Sequence, residues 1–565
     1  MNDKDVFDID FGRYYDYAEL TEHLKGLAEA YPDLTTLHNI GQSYRGRDIW
    51  LMEITNQQVG GTPDEKPGYY LDAITHPEEV SGSMVALYTI WYLLTNYGKD
   101  DAVTRLLDWQ TVYVLPVLNP DGLEICLHDP YYEWHGNARY LPGEEQEGAG
   151  LHYADMNGDD IIVDMRIPDE NGEWKVSEKD PRLLVQREPY EYGGEYYRRL
   201  PEGYIEDFDG VEIPIPRPRD GNLNRNYPYN WGPESEQYGA GEYPLSEPAI
   251  EAVVKFILGH PNIAGAINFH TNAGAILLPF NKGAKMPFED QTVFKRIGKI
   301  GADATGYGLI ADEKQFNMPN AKPRRGTASG FLYTQLGIIC SVVELWDVYK
   351  ESGIEKDWFY QHRPLTEEQK LKLLKWSDEE LEGEGFMDWT PFEHPQLGPV
   401  EIGGWKRLFM FRNPPGHRLE EMCHKNAMFV IKHALCAPQL RVSEASLVQL
   451  ADDVFKVEAV IENQGYLPTN VTKRAVDADV VEPVQAEIEL SDGLELVSGR
   501  QKVEVGHLAG RAERAMKYSR FIDWHPTGKK VEWVVRLQDG QSSGEVKVRA
   551  TSQRAGRDVR ELVVE

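Results

Sequence analysis

The chain predicts an α/β sheet covered by helices on both faces, followed by an all-β sandwich. Three observations predict it. Short apolar runs rich in Ile and Val alternate with helical stretches up to about residue 437. Pro438 closes the last long helical pattern. Beyond it the period changes to strand alternation with Gly, Asp and Asn at the turns.

AELTEHLKGLAEAY, residues 18–31, has helical spacing and stops before Pro32. DIWLMEITN and PGYYLDAIT read as strands, and SGSMVALYTIWYLLTNY as a buried helix. TVYVLPVLNPDG reads as a strand closing in an N-P-D-G turn. Further on, NIAGAINFHT and GIICSVVELWD are buried strands, separated by helices such as EPAIEAVVKFILGH and TVFKRIGKIGADATGYG. Residues 130–219, rich in Gly, Pro, Glu and Tyr, read as an insertion. Residues 351–405 form a second irregular stretch with a charged helix near TEEQKLKLLKW. A helix at GHRLEEMCHKNAMFVIKHAL ends the first unit, residues 1–437, and the sandwich takes 438–565.

The 565 residues exceed one ordinary hydrophobic core, so more than one unit is expected. With 92 acidic against 59 basic residues the formal charge is −33, which excludes nucleic acid and anionic membrane surfaces as partners. The N-terminal stretch is acidic with no apolar core, and no run suits a membrane span. Cys126, Cys340, Cys423 and Cys436 are scattered without a C-x-x-C pair. The expectation is a cytoplasmic protein with reduced thiols.

In a doubly covered sheet the ligand crevice lies beyond the carboxyl ends of the strands. His76, Asn119, His270 and Glu344 each stand where an apolar strand is about to end. THPEEVSG, residues 75–82, taken alone, is a polar turn as readily as a ligand pair. Two imidazoles and one carboxylate are an established zinc set that leaves a position for water, and His76, Glu79 and His270 supply it. The water needs a base. Glu344, inside the apolar SVVELWD, is placed for that, with a structural ion pair as the alternative.

Six motifs in order, HPEE, NPDG, NLNRNYPYNWG, YPLSEPAIEAVVKFI, NFHTNAG and ELWD, make the chain resemble the zinc carboxypeptidases of the A and T type over roughly residues 10–440. The resemblance implies a mixed sheet of eight strands and one Zn²⁺ held by His76, Glu79 and His270. It implies peptide or peptide-like substrates with a free C-terminal carboxylate, held by Asn224 and Arg225, and Glu344 as general base. It also implies an arginine after N-P-D-G that polarises the scissile carbonyl. Arg139 is the candidate, with an ordinary surface arginine as the alternative.

Departures leave the substrate open. No tyrosine stands in register in NAKPRRGTASGFLY, Gly330 and Phe331 replace an Asp–aromatic pair, and Glu78 lies between the first two ligands. An amidase acting on cell-wall peptides or other carboxylate-bearing amides is therefore the rival reading, and a non-catalytic binding module a more distant one. Asp155, Asn157 and Asp159 have calcium-loop spacing, but Asp160 and Arg166 stand where Gly and Glu belong, so an Asx-rich turn competes with a Ca²⁺ site.

Overall fold

The structure is a computed structural model. It describes residues 9–131, 135–140, 148–216, 221–279, 286–311, 324–355, 364–514, 526–538 and 540–565. Asn320–Pro323 of NAKPRRGTASGFLY, and Glu133 and Trp134 ahead of Arg139, lie outside the described residues.

The first unit is built on one mixed sheet of eight strands, as the resemblance implies. The strands are β1 (Thr35–Gln42), β2 (Asp48–Ile54), β3 (Gly68–Asp72), β4 (Thr111–Leu115), β5 (Ile263–Thr271), β6 (Ala275–Leu277), β7 (Gly308–Ile310) and β8 (Ile339–Leu345). Their order across the sheet is β1-β2-β4-β3-β5-β8-β6-β7. The four central strands β4, β3, β5 and β8 run parallel. Every residue of β3, β4 and β5 is buried, as continuous apolar runs require when helices cover both faces.

The helices are α1 (Tyr17–Ala30), α2 (Ser81–Asn96), α3 (Asp101–Trp109), α4 (Pro120–His128), α5 (Pro248–Gly259) and α6 (Phe288–Thr305), with Gly416–Ala434 packed on α2 and α6. The N-P-D-G segment differs from expectation. It starts a helix instead of closing a turn, because Asn119 accepts the Gly122 N–H as N-cap and Pro120 occupies the first helical position.

The two stretches that read as irregular insertions share one sheet. Gly398–Trp405 pairs with Asp164–Pro168, matching Ile402 to Met165 across more than two hundred residues of sequence. The six strands lie in the order Phe386–His394, Gly398–Trp405, Asp164–Pro168, Tyr197–Pro201, Trp174–Val176, Leu184–Gln186. Strands of three to five residues in the first insertion carry too little periodicity to read alone. The expected charged helix is Glu367–Glu380, opened by a Thr366–Gln369 capping box.

From Leu440 two four-stranded sheets face each other. Val454–Asn463 alternates strictly between partly exposed and buried positions, and the inner residues pack around Trp533. The two units are docked by specific polar contacts. Arg554, 3% exposed, donates to the carbonyls of Leu336 and Gly337. Asp290 of α6 accepts from the backbone N–H groups of Lys473 and Arg474. Gly337 has φ +65°, and a Cβ there would lie 2.4 Å from that of Ala475, so the junction needs glycine. Among the described residues no helix is long and apolar enough to cross a membrane.

Candidate metal centre and its surroundings

The site lies at the carboxyl ends of β3, β5 and β8. After β3 the chain turns through Ile74 at φ 55°, and after β8 through Trp346 at φ 56°. A β-branched residue avoids this region, and such strain persists where packing over-determines the backbone. Here the carbonyls of Ala73 and Ile74 accept the N–H groups of Leu118 and Asn119, each at 3.0 Å. The next loop is clamped by buried Asn413, which donates to the Glu78 carbonyl at 2.7 Å and accepts from the Ser81 N–H at 2.9 Å.

This loop brings His76 and Glu79 against His270. Nδ1 of His270 lies 2.8 Å from Glu79 Oε2, Nδ1 of His76 3.1 Å from Glu79 Oε1, and the two Nδ1 atoms 3.2 Å apart. All three side chains are buried, and their donor atoms fall within 4.8 Å of one another, a set able to hold a metal ion. Nε2 of His76 lies 3.3 Å from Asn222 Oδ1, an acceptor that places the ring proton on Nε2 and leaves Nδ1 for ligation. Two imidazoles and a carboxylate suit zinc, so the residues fit the ion that the resemblance implies.

The electrostatics arise from three groups buried together. Burial opposes the charge of Glu79, but the two imidazoles outweigh it and hold its pKa below the ordinary carboxylate value. Burial also opposes a proton on His270, yet Glu79 prevails and pushes its pKa up to about 9. His76 is pulled down to about 4, by burial and then by His135. Glu344 stands directly beside His270 in the parallel register of β5 and β8, and burial pushes its pKa up to about 7. Asp72, under the cluster, accepts from Tyr70 at 3.0 Å and Asn268 at 2.8 Å.

Asn224 and Arg225 sit in the one-turn helix Leu223–Arg225, which Asn222 caps. Asn224 Oδ1 accepts the Ala328 N–H at 2.9 Å, which leaves its Nδ2 as the donor end. Gly326, at φ +60°, abuts the Arg225 carbonyl so closely that a Cβ would lie 2.2 Å from its oxygen. Burial, and then the Arg324 guanidinium, press against the charge on Arg225 and lower its pKa, so a bound anion would relieve it. Arg325 is instead committed to Glu236.

Arg139, the candidate for the arginine after N-P-D-G, is partly buried beside acidic side chains. Its guanidinium donates to the Ser246 carbonyl at 3.2 Å and faces Glu242 and Glu247 at 3.4 and 3.6 Å. Guanidinium charges felt at Glu344 include those of Arg324 and Arg412. Arg412 Nη2 lies 4.0 Å from buried Glu78 Oε1. That oxygen is also hydrogen-bonded to Nδ1 of His135, whose ring stacks on His76 with centroids 3.5 Å apart. Sequence reasoning does not find Asn222, His135, Arg412 or Asn413. Asn222 opens the NLNRNYPYNWG motif, where Asn224 and Arg225 draw the attention, and nothing in spacing or composition marks the other three.

The calcium expectation is not supported. Asp155 spends its carboxylate on the N–H groups of Gly158, Asp159 and Asp160, and Asp159 accepts from Ile161 N–H and Asn157 Nδ2. The loop is an Asx-rich turn whose oxygens serve its own backbone.

The sequence profile of the zinc carboxypeptidases matches residues 20–373, and that of a domain of unknown function matches residues 439–563. Carboxypeptidase M of Mus musculus is 35% identical over 136 residues, 23% of this chain and 29% of that protein. Human carboxypeptidase D is 39% identical over 112 residues, 20% of this chain and 8% of that protein. Carboxypeptidase A4 of Mus musculus is 22% identical over 355 residues, 63% of this chain and 61% of that protein. The chain thus spans less than two thirds of each of these relatives. Among solved structures, the carboxypeptidase A of Helicoverpa armigera is similar at 17% identity and TM-score 0.43, covering 75% of this chain and 74% of that one. The family profile covers more than half of the chain, and the chain belongs to the zinc carboxypeptidase family.

Proposed function

We propose that the protein is a zinc-dependent metallocarboxypeptidase that hydrolyses the C-terminal peptide bond of peptides. The observation that carries this reading is the buried His76–Glu79–His270 cluster, with Glu344 beside His270 in register. Zn²⁺ held by these three residues would lower the pKa of a water molecule and polarise a carbonyl oxygen.

The chain's own residues supply the rest. Glu344 accepts a proton from water at its carboxylate and returns it to the departing nitrogen. Burial, which pushes its pKa up to about 7, suits it to both halves of that exchange. Arg225 forks onto the terminal carboxylate of the substrate, and Asn224 adds its Nδ2. Asn222 holds the His76 ring and Asn413 holds the ligand loop. Arg139 serves a structural role, since its charge is taken up by Glu242 and Glu247.

The reading is tested with zinc-loaded full-length protein and a panel of blocked dipeptides, their C-terminal amides, and peptidoglycan fragments. Free-carboxylate dipeptides should be cut at the last bond and the amides spared. Turnover confined to peptidoglycan fragments would replace this reading with the amidase one.

A further inference from the structure

Beside the metal cluster lies a cavity of about 680 Å³, a size suited to small-molecule and peptide ligands. It is formed where the shared insertion sheet meets the loop after β5. Among the described residues its lining carries four cationic side chains, Arg199, Lys370, Arg407 and Arg412, against one carboxylate, Asp164. This occurs in a chain of formal charge −33, so the local sign is the reverse of the whole.

Asp164 is divided between Arg199 at 3.8 Å and Arg407 at 3.7 Å. The Lys370 ammonium donates to the Leu184 carbonyl at 2.7 Å, and no carboxylate of the described residues lies within ion-pair distance of it. Lys370 and Arg199 both lie against the Trp174 ring, each 5.0 Å from its centroid. Burial, and then Arg199, lower the pKa of Lys370 to about 8, the mark of a cation short of counter-charge.

The position relative to the cluster is informative. Arg412 lines this cavity and stands 4.0 Å from Glu78, the neighbour of a ligand, while Asn272 on the cavity wall is two residues beyond His270. Residues 222–225, which surround the terminal-carboxylate pair, line none of it. It therefore adjoins the reacting bond without being the pocket for the C-terminal residue.

We propose that this cavity binds carboxylate-bearing residues on the N-terminal side of the scissile bond, so that acidic peptides are the substrate class. The proposal rests on the carboxypeptidase reading for its orientation, but not for the binding of acid in the cavity. Trp174 supplies a flat apolar wall for the chain of the side group, and Lys370 and Arg199 its counter-charges.

The test uses zinc-loaded full-length protein and two C-terminally amidated tetrapeptides, acetyl-Glu₄ and acetyl-Gln₄, which lack a terminal carboxylate for Arg225. Calorimetry should show the acidic peptide bound at least about tenfold more tightly, weakening with salt, and the advantage lost in the double variant Lys370→Gln/Arg199→Gln. Lys370→Arg should retain it. A blocked dipeptide with an uncharged residue before the scissile bond offers the cavity no side-chain carboxylate, so the double variant should turn it over within about twofold of the wild type, which controls for folding. A second arm compares kcat/KM for peptides with one C-terminal residue and either Glu-Glu or Gln-Gln before it, and the acidic pair should be preferred. Equal binding of the two amides, or an undiminished advantage in the double variant, overturns the proposal. Failure to cut any free-carboxylate peptide would sink the carboxypeptidase reading while the binding arm still decides this one.

Discussion

The eight-stranded sheet and the C-terminal sandwich are built from strands of opposite character. β3, β4 and β5 are buried along their whole length, whereas Val454–Asn463 is buried at every second residue. In the first unit Glu78, Glu79, Asp72 and His270 are buried together at strand ends, next to strained backbone at Ile74 and Trp346, while Asp290 is buried at the junction with the sandwich. In the sandwich the buried charge among the described residues is Arg554, and it faces outward onto the first unit. The difference teaches where each unit places its costly groups: the first at strand ends and at the junction, the sandwich at the junction alone among the described residues.

The sharpest way to break this comparison is Glu344→Gln. It should keep one zinc per chain and lose about 10³- to 10⁴-fold in kcat. Turnover near the wild-type rate would remove Glu344 from the chemistry. Next in size is Trp533→Ala in the sandwich, where a large cavity should cost about 3–5 kcal/mol of stability in denaturant unfolding. The comparison requires that zinc content and kcat/KM of the protein that remains folded stay unchanged, and a parallel loss of activity would show that the units are not separable.

A smaller effect is expected at the carboxylate pair. Arg225→Gln should raise KM by about 10- to 100-fold for free-carboxylate peptides, whereas Arg139→Gln should change kcat/KM by less than about threefold. A large kcat effect at Arg139 would return it to the role that the resemblance implied. The smallest effect concerns protons. His270, with its pKa pushed up to about 9 by Glu79, is protonated in the metal-free protein at pH 7 and must become neutral to ligate. Zinc binding at pH 7 should therefore release about one proton per chain, and affinity should rise as pH increases towards 9. Calorimetry in buffers of different ionisation enthalpy reads this directly, and no proton release would contradict the assigned charge.

Much of the site was legible because its residues lie beside strong local patterns. His270 and Glu344 interrupt apolar strands, and His76 and Glu79 share one loop, so spacing alone brings the four into view. NPDG is ambiguous in sequence because the same residues open a turn or cap a helix, and the choice depends on how the chain continues beyond Gly122. The insertion sheet was not legible, since its strands find partners across the chain and not beside it.

The sequence by itself determined the alternation of strands and helices, the change of period after Pro438 and the candidate metal set, because each is written in local spacing and residue type. Only the tertiary structure decided which guanidinium lies near Glu344, that Asn222 and Asn413 orient the ligands, and that two distant insertions close a basic cavity beside them. Those features depend on contacts between segments far apart in the chain, and neither hydrophobic period nor motif spacing carries that information.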